Sequence, residues 1–255
     1  MRTIATINFK GGVGKTTVTW CLGDVLSTYS NAKVLLFDLD AQMSLTQAIA
    51  LDAEGNSSGK FASWYESSQK HDRTIFSVLR KFLETDLTNF QADNGFVFRL
   101  SSNYHFVPST EHLYWLELDA PDPGKGKFFI KNVLGKIANS GALPKYEYAL
   151  FDCPPSFTML SYSVLMSCDL VLIPFNPDFF AAKGVGLLIA GLRHRIQPHP
   201  VPKLAVFANR ARTYGGGPTK LAHGWITDVR EACDSVSKQI GCSFFKLLDT
   251  RSHRN

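Results

Sequence analysis

The chain has 255 residues, 45% of them hydrophobic, enough to bury the core of one α/β domain, with no apolar run long enough to span a bilayer. Five cysteines, odd in number and without a CxxC pair, argue against a disulfide framework or a zinc site; the opening residues lead straight into a strand pattern with no room for a signal peptide, so a cytoplasmic protein is expected. Net charge is +5, divided as +8 over residues 183–255 and −3 over the remainder; a basic final third suits a face for a polyanion, and scattered solvated lysines would give the same count.

Taken in order, Ile4, Ala5 and Ile7 read as a buried strand, and Val18, Cys21, Leu22, Val25, Leu26 and Tyr29 recur at helical spacing. Between them, residues 8–17 read Asn-Phe-Lys-Gly-Gly-Val-Gly-Lys-Thr-Thr, a glycine-rich turn from strand to helix. Gly11, Gly12 and Gly14 let successive backbone N–H groups converge where the positive end of the helix also points, so an anion of several charges is expected there. Lys15 can reach the outer phosphates of a nucleotide and the Thr16 hydroxyl can ligate magnesium. The strict GxxxxGK(S/T) pattern is not met: Phe9 stands at the first glycine position, and a second lysine, Lys10, precedes the glycine pair.

The run at 33–38 is a short strand ending in acid, and Asp38-Leu39-Asp40-Ala41-Gln42 carries it into a loop before a helix over 43–50. Residues 52–72 are polar and predict a surface loop with a short amphipathic piece around Phe61, Trp64 and Tyr65. Helical spacing returns at Ile75, Val78, Leu79, Phe82 and Leu83; strands follow over 95–100 and 104–107, residues 108–110 open a further helix, and 127–138 forms another. The apolar run 147–152 ends in Asp152, a Walker B arrangement beside a phosphate loop. Residues 169–173 form a strand closed by Pro174, 181–196 a helix, 203–208 a strand ending at Asn209, 220–240 a helix, and 243–248 a last strand. This alternation predicts a doubly wound, mainly parallel α/β sheet covered on both faces.

Four stretches, residues 10–17, 38–42, 151–155 and 173–184, lie in order across most of the chain and resemble the deviant Walker A ATPases of the ParA/MinD family, closest to the ParA-type partition ATPases. The resemblance implies a P-loop NTPase fold in a single domain over residues 1–255, with a less typical insertion at about 50–103. It implies ATP and Mg2+ as cofactors and an ATPase that is weak unless a partner stimulates it. Gly11, Gly12, Val13, Gly14, Lys15, Thr16 and Thr17 would hold the phosphates, with Pro174 and Asn209 at the base; Asn209 also reads as a plain turn residue. Thr16 would take magnesium directly, Asp152 through a water, with Asp38 assisting, and Asp40 would position the attacking water; Asp38 and Asp40 equally suit capping of the next helix. Lys10 would reach across a nucleotide-sandwiched homodimer to the partner's phosphates. Arg193, with Arg195, Arg210, Arg212 and Lys220 as neighbours, would bind DNA without sequence preference, against the alternative of solvated surface. Ala41 departs from the Pro usual in partition ATPases, where Pro only stiffens the turn.

The implied cycle binds ATP, dimerises, coats nucleoid DNA and ends when a ParB-like or other cargo adaptor stimulates hydrolysis, the cargo being a plasmid, a chromosomal origin or a protein organelle. A MinD-like membrane-cycling regulator would need a C-terminal amphipathic helix, for which residues 244–248 are too short; no membrane partner is expected. An iron–sulfur-carrier branch would need cysteines paired across a dimer axis, whereas Cys153 has no CxxC companion. Relatives of this type usually add helices after the last strand, so a trimmed version of such a chain is expected.

Overall fold

The apolar runs become strands because they are buried on both faces. All five residues of β2 (Val34–Asp38) are buried, as are four of the five in β5 (Tyr148–Asp152). The remaining strands are β1 (Arg2–Thr6), β3 (Phe98–Arg99), β4 (Tyr104–Val107), β6 (Leu170–Phe175), β7 (Lys203–Ala208), β8 (Thr213–Tyr214), β9 (Gly217–Pro218) and β10 (Phe245–Leu248). The computed structural model describes residues 1–56, 59–85, 87, 89–116, 123–197, 200–211, 213–214, 217–240 and 245–248. Eight strands form one sheet in the order β10-β7-β6-β1-β5-β2-β4-β3, and β8 pairs with β9 separately. Every pairing in the large sheet is parallel except β3 with β4 at its edge.

Alternate strand residues face two cores. Leu35, Phe37, Ala149 and Phe151 enter one, packed by α4 (Ile75–Glu84), α5 (Phe129–Ala138), α6 (Met159–Leu165), α7 (Ala181–Gly191) and α8 (Lys220–Ile240). Val34, Leu36, Leu150 and Phe106 enter the other, under α1 (Lys15–Thr28), α2 (Ser44–Asn56) and α3 (Lys60–Lys70). The doubly wound sheet expected from the alternation is therefore present. Register sets the functional edge: Thr6 and Asp38 both stand level with Asp152, so β1, β2 and β5 end together.

Several local expectations differ from the structure. Residues 52–72 are not mainly loop: α2 runs on to Asn56 and α3 follows, anchored by Phe61, which stacks on Tyr65 at 5.7 Å and meets Phe98 edge-on at 5.0 Å. The polar composition hid it because one aromatic stripe suffices to dock that helix. The strand expected over 95–100 shrinks to the two residues of β3. The helix expected after residue 110 opens with a 3₁₀ turn, Glu111–Tyr114, with the Thr110 side chain accepting from His112 N–H; residues 117–122 lie outside the described residues. Pro174 lies inside β6 rather than closing it. Pairing with β1 ends at Leu172, so its missing N–H leaves no gap in that ladder. The helix expected over 181–196 ends as α7 at Gly191 and continues as a π turn, Leu192–Ile196. Among the described residues no helix is long and apolar enough to cross a membrane.

Phe37 and Phe151, fully buried, stack across β2 and β5 with ring centroids 4.9 Å apart. Phe37→Ala should lower unfolding free energy by about 3–5 kcal/mol, read from urea denaturation; a loss under about 1 kcal/mol would mean the two strand ends are not held by this contact.

Candidate functional site

Between β1 and α1 the chain turns through Gly12 at φ 72° and Gly14 at φ 91°, the left-handed region that glycine enters without strain. Gly14 is required twice over, since a Cβ there would collide with the Asn209 side-chain amide. α1 starts at the next residue, and its first four N–H groups and positive dipole end face the turn. Beside the turn lies a cleft of roughly 720 Å³, lined by Gly11, Gly12, Gly14, Lys15, Thr16, Thr17, Asp40, Gln42, Ser44, Pro155, Asn209 and Arg210.

The strand register brings acids to the cleft floor. Asp152 is 1% exposed; its Oδ2 accepts from the Thr16 hydroxyl at 2.7 Å, while Oδ1 is buried with no hydrogen-bond partner among the described residues. Burial first, then the neighbouring Asp38, pushes the Asp152 carboxyl up to about 8. A buried acceptor left open is costly unless a ligand fills it, and a carboxylate oxygen beside a threonine hydroxyl suits a hard divalent cation. Asp38, wholly buried, is pushed up to about 6 by that burial. Its Oδ2 accepts from Thr46 N–H at 2.8 Å and the Thr46 hydroxyl at 2.7 Å, and its Oδ1 from Asp40 N–H at 3.1 Å. Asp38 therefore organises the β2–α2 loop, the capping arrangement weighed against a metal role, and the open oxygen belongs to Asp152. Asp40 lines the cleft with Oδ1 accepting from Gln42 N–H at 3.0 Å, and its carbonyl is held by the Ser109 hydroxyl at 2.7 Å. Lys15, 8% exposed, has its ammonium pKa lowered by burial, with Asp152 and Asp40 opposing.

The outer side of the turn is tied down by residues at strand ends. Asn8 Nδ2 donates to the Pro174 carbonyl at 2.8 Å, and Asn209 Nδ2 to the Val13 carbonyl at 2.8 Å. The Gly12 carbonyl accepts from Arg210 Nη1 at 3.0 Å and from Asn176 Nδ2 at 3.3 Å. Pro174, expected at the base, is buried in β6 and is not in the cleft lining. Lys10 lies outside the cleft lining, in an ion pair with Asp178 of its own chain. Sequence reasoning missed Asn8, Asn176 and Asp178; the one available signal was polar residues immediately beyond apolar strands, where ligands gather in open parallel sheets.

Of the residues expected to bind DNA, the four that are described do not form one group. Arg193 and Arg195 are exposed on the π turn that leads back to the start of β7. Arg210 follows the end of β7, at the opposite end of that strand, in the cleft wall, and Lys220 opens α8. Arg212 lies outside the described residues.

Comparison with known proteins fits this geometry. A family described as an AAA domain, AAA_31, matches residues 1–205. A ParA family protein of Chlamydia pneumoniae is 31% identical over 210 residues, covering 81% of this chain and 71% of the relative. Among solved structures, a plasmid partition protein of Borrelia burgdorferi B31 bound to AMPPNP is similar with TM-score 0.64 at 21% identity, covering 100% of this chain and 91% of that one. Cobyrinic acid a,c-diamide synthase of Mycobacterium smegmatis, with bound ATP analog and magnesium, is similar with TM-score 0.68 at 23% identity, covering 91% and 82%.

The two raised carboxyls set a sign for stability against pH. Both keep their protons in the folded chain to higher pH than in the unfolded chain, so their contribution is full below about 4 and is lost as pH rises through about 6 and about 8. Without divalent cations, the melting temperature should therefore fall from pH 5 to pH 8 more steeply for wild type than for Asp152→Asn. Equal slopes in calorimetry would show that Asp152 titrates as an ordinary surface acid.

Proposed function

The chain belongs to the ParA family, within the AAA-domain family AAA_31, and on that premise we propose that residues 1–255 form one ATPase domain that positions or segregates a cargo. The observation that carries the ATPase reading is the open Oδ1 of Asp152 under the Gly12–Gly14 turn, next to Thr16 and the buried Lys15. ATP and Mg2+ are the cofactors this arrangement suits, in line with the nucleotide and magnesium in the two similar structures. Magnesium, when bound, would neutralise charge on the transferring phosphoryl group.

The chain's own residues then divide the work. Lys15 and the N–H groups of residues 11–17 bind and orient the phosphates. Thr16 and Asp152 would hold the ion, Asp38 keeping Asp152 company and fixing the loop through Thr46. Asp40, in the cleft wall with its backbone fixed at both ends, orients the attacking water. Lys10 supplies a cation to the phosphates of a second subunit, leaving Asp178 to do so, which makes the homodimer depend on ATP. Asn209 stays beside the nucleotide through its hold on Val13.

The complete cycle takes place in the cytoplasm on nucleoid DNA and ends when a ParB-like or other adaptor stimulates hydrolysis. Non-specific DNA affinity rests on the +8 of residues 183–255, with the exposed Arg193 and Arg195 as the leading contacts. Sedimentation on random duplex DNA with ATP, ADP and no nucleotide tests this: retention should require ATP and fall with salt, and nucleotide-independent retention would contradict it.

Lys15→Ala should abolish ATP binding, whereas Asp40→Ala should keep it and stall hydrolysis by about a hundredfold or more, measured by calorimetry and phosphate release. Wild-type turnover in Asp40→Ala would remove that residue from the reaction. Lys10→Ala should leave ATP affinity of the monomer within a few-fold while losing dimers in analytical ultracentrifugation with a non-hydrolysable analogue; an unchanged dimer would return Lys10 to a surface charge paired with Asp178.

A further inference from the structure

Arg210 was expected on a DNA-binding face, yet its exposed guanidinium lies against the glycine turn. Its Nη1 donates to the Gly12 carbonyl at 3.0 Å, and its backbone takes a left-handed conformation at φ 54°, unusual for a residue with a side chain. That conformation is held locally: Arg210 N–H donates to Asn209 Oδ1 at 3.0 Å, while Asn209 Nδ2 donates to the Val13 carbonyl at 2.8 Å. Two adjacent residues at the end of β7 therefore grip two adjacent carbonyls of the turn. On the β6 side, Asn176 Nδ2 donates to the same Gly12 carbonyl, and its Oδ1 is buried without a hydrogen-bond partner among the described residues.

In a planar trans peptide the C=O and N–H point in opposite directions. Holding the Gly12 and Val13 carbonyls against the ends of β6 and β7 therefore fixes the Val13 and Gly14 N–H groups on the other side of the turn. A donor on a carbonyl also polarises its peptide and strengthens the N–H as a donor, and a charged guanidinium does so more than a neutral amide. From this geometry we infer that Arg210, with Asn209, is a positioning residue for the phosphate loop: it sets the direction and strength of the backbone donors that meet a polyphosphate, and is not a DNA contact. The inference rests on the nucleotide-binding reading above and names how that site is held in shape.

The test compares two ligands, ATP and inorganic tripolyphosphate, each with magnesium, by calorimetry on wild type, Arg210→Met and Arg210→Lys. Because Arg210 acts on the loop and not on the base, Arg210→Met should weaken both ligands by the same factor, about tenfold. Arg210→Lys, keeping a charged donor, should recover part of the loss. The Arg210 side chain is exposed, so the melting temperature of the ligand-free variants should match wild type. Loss confined to ATP would mean a base or ribose contact and overturn the inference, as would unchanged affinity for both ligands with reduced retention on DNA. Wild type binding neither ligand would overturn the nucleotide-binding reading as well, an outcome distinct from a variant that matches a competent wild type.

Discussion

Asp152 sits at the end of β5 with one oxygen bonded to Thr16 and the other buried without a partner among the described residues, and the geometry around it follows from keeping that oxygen in place. Parallel pairing levels Asp152 with Thr6 on one side and Asp38 on the other, so the first turn of α1 and the β2–α2 loop both converge on it. Folding an acceptor into this position costs free energy that solvent would otherwise supply, and the raised carboxyls of Asp152 and Asp38 express the same cost in protons. The stacked pair Phe37 and Phe151, one residue before each acid, packs the strand ends that carry them.

The phosphate turn is fixed by the sheet from outside as well as by its own glycines. Asn8, Asn176, Asn209 and Arg210 come from the ends of β1, β6 and β7, and three of them bond directly to carbonyls of Gly12 or Val13. Asn8 works one step away, through the Pro174 carbonyl, which lies beyond the reach of the β1 ladder. Nearby, Lys10 rests on Asp178 just outside this scaffold, adjacent to the exposed Phe179 and Phe180. A second subunit seated there would exchange one anionic partner of Lys10 for another.

Much of this was legible in the sequence where the signal was local. Continuous apolar runs ending in Asp38 and Asp152, and Gly-Lys-Thr between a strand and a helix, correspond to β2, β5 and the turn before α1. The sequence was less informative where long-range contacts decide. Helix α3 is held by Phe61 against Phe98 and Phe106, partners more than thirty residues away, and its polar surface resembled a loop. Asp38 could be read as a metal neighbour or as a cap, and its bonds to Thr46 and Asp40, which supply the cap, depend on the fold. Arg210 counted as one of many basic residues until the end of β7 placed it on Gly12. Charge totals likewise cannot tell that Arg193 precedes β7 while Arg210 follows it, at opposite ends of one strand.

On the proposed function, the open oxygen of Asp152 and the Thr16 hydroxyl form the seat of a divalent cation that accompanies a nucleotide. A crystal structure grown with magnesium and a non-hydrolysable ATP analogue should then hold an ion beside Thr16 Oγ1 and phosphates against the N–H groups of the turn, with the direct 2.7 Å bond from Thr16 to Asp152 broken. Nucleotide bound elsewhere, or bound here with that bond intact and no ion beside it, would remove Asp152 and Thr16 from the cation site.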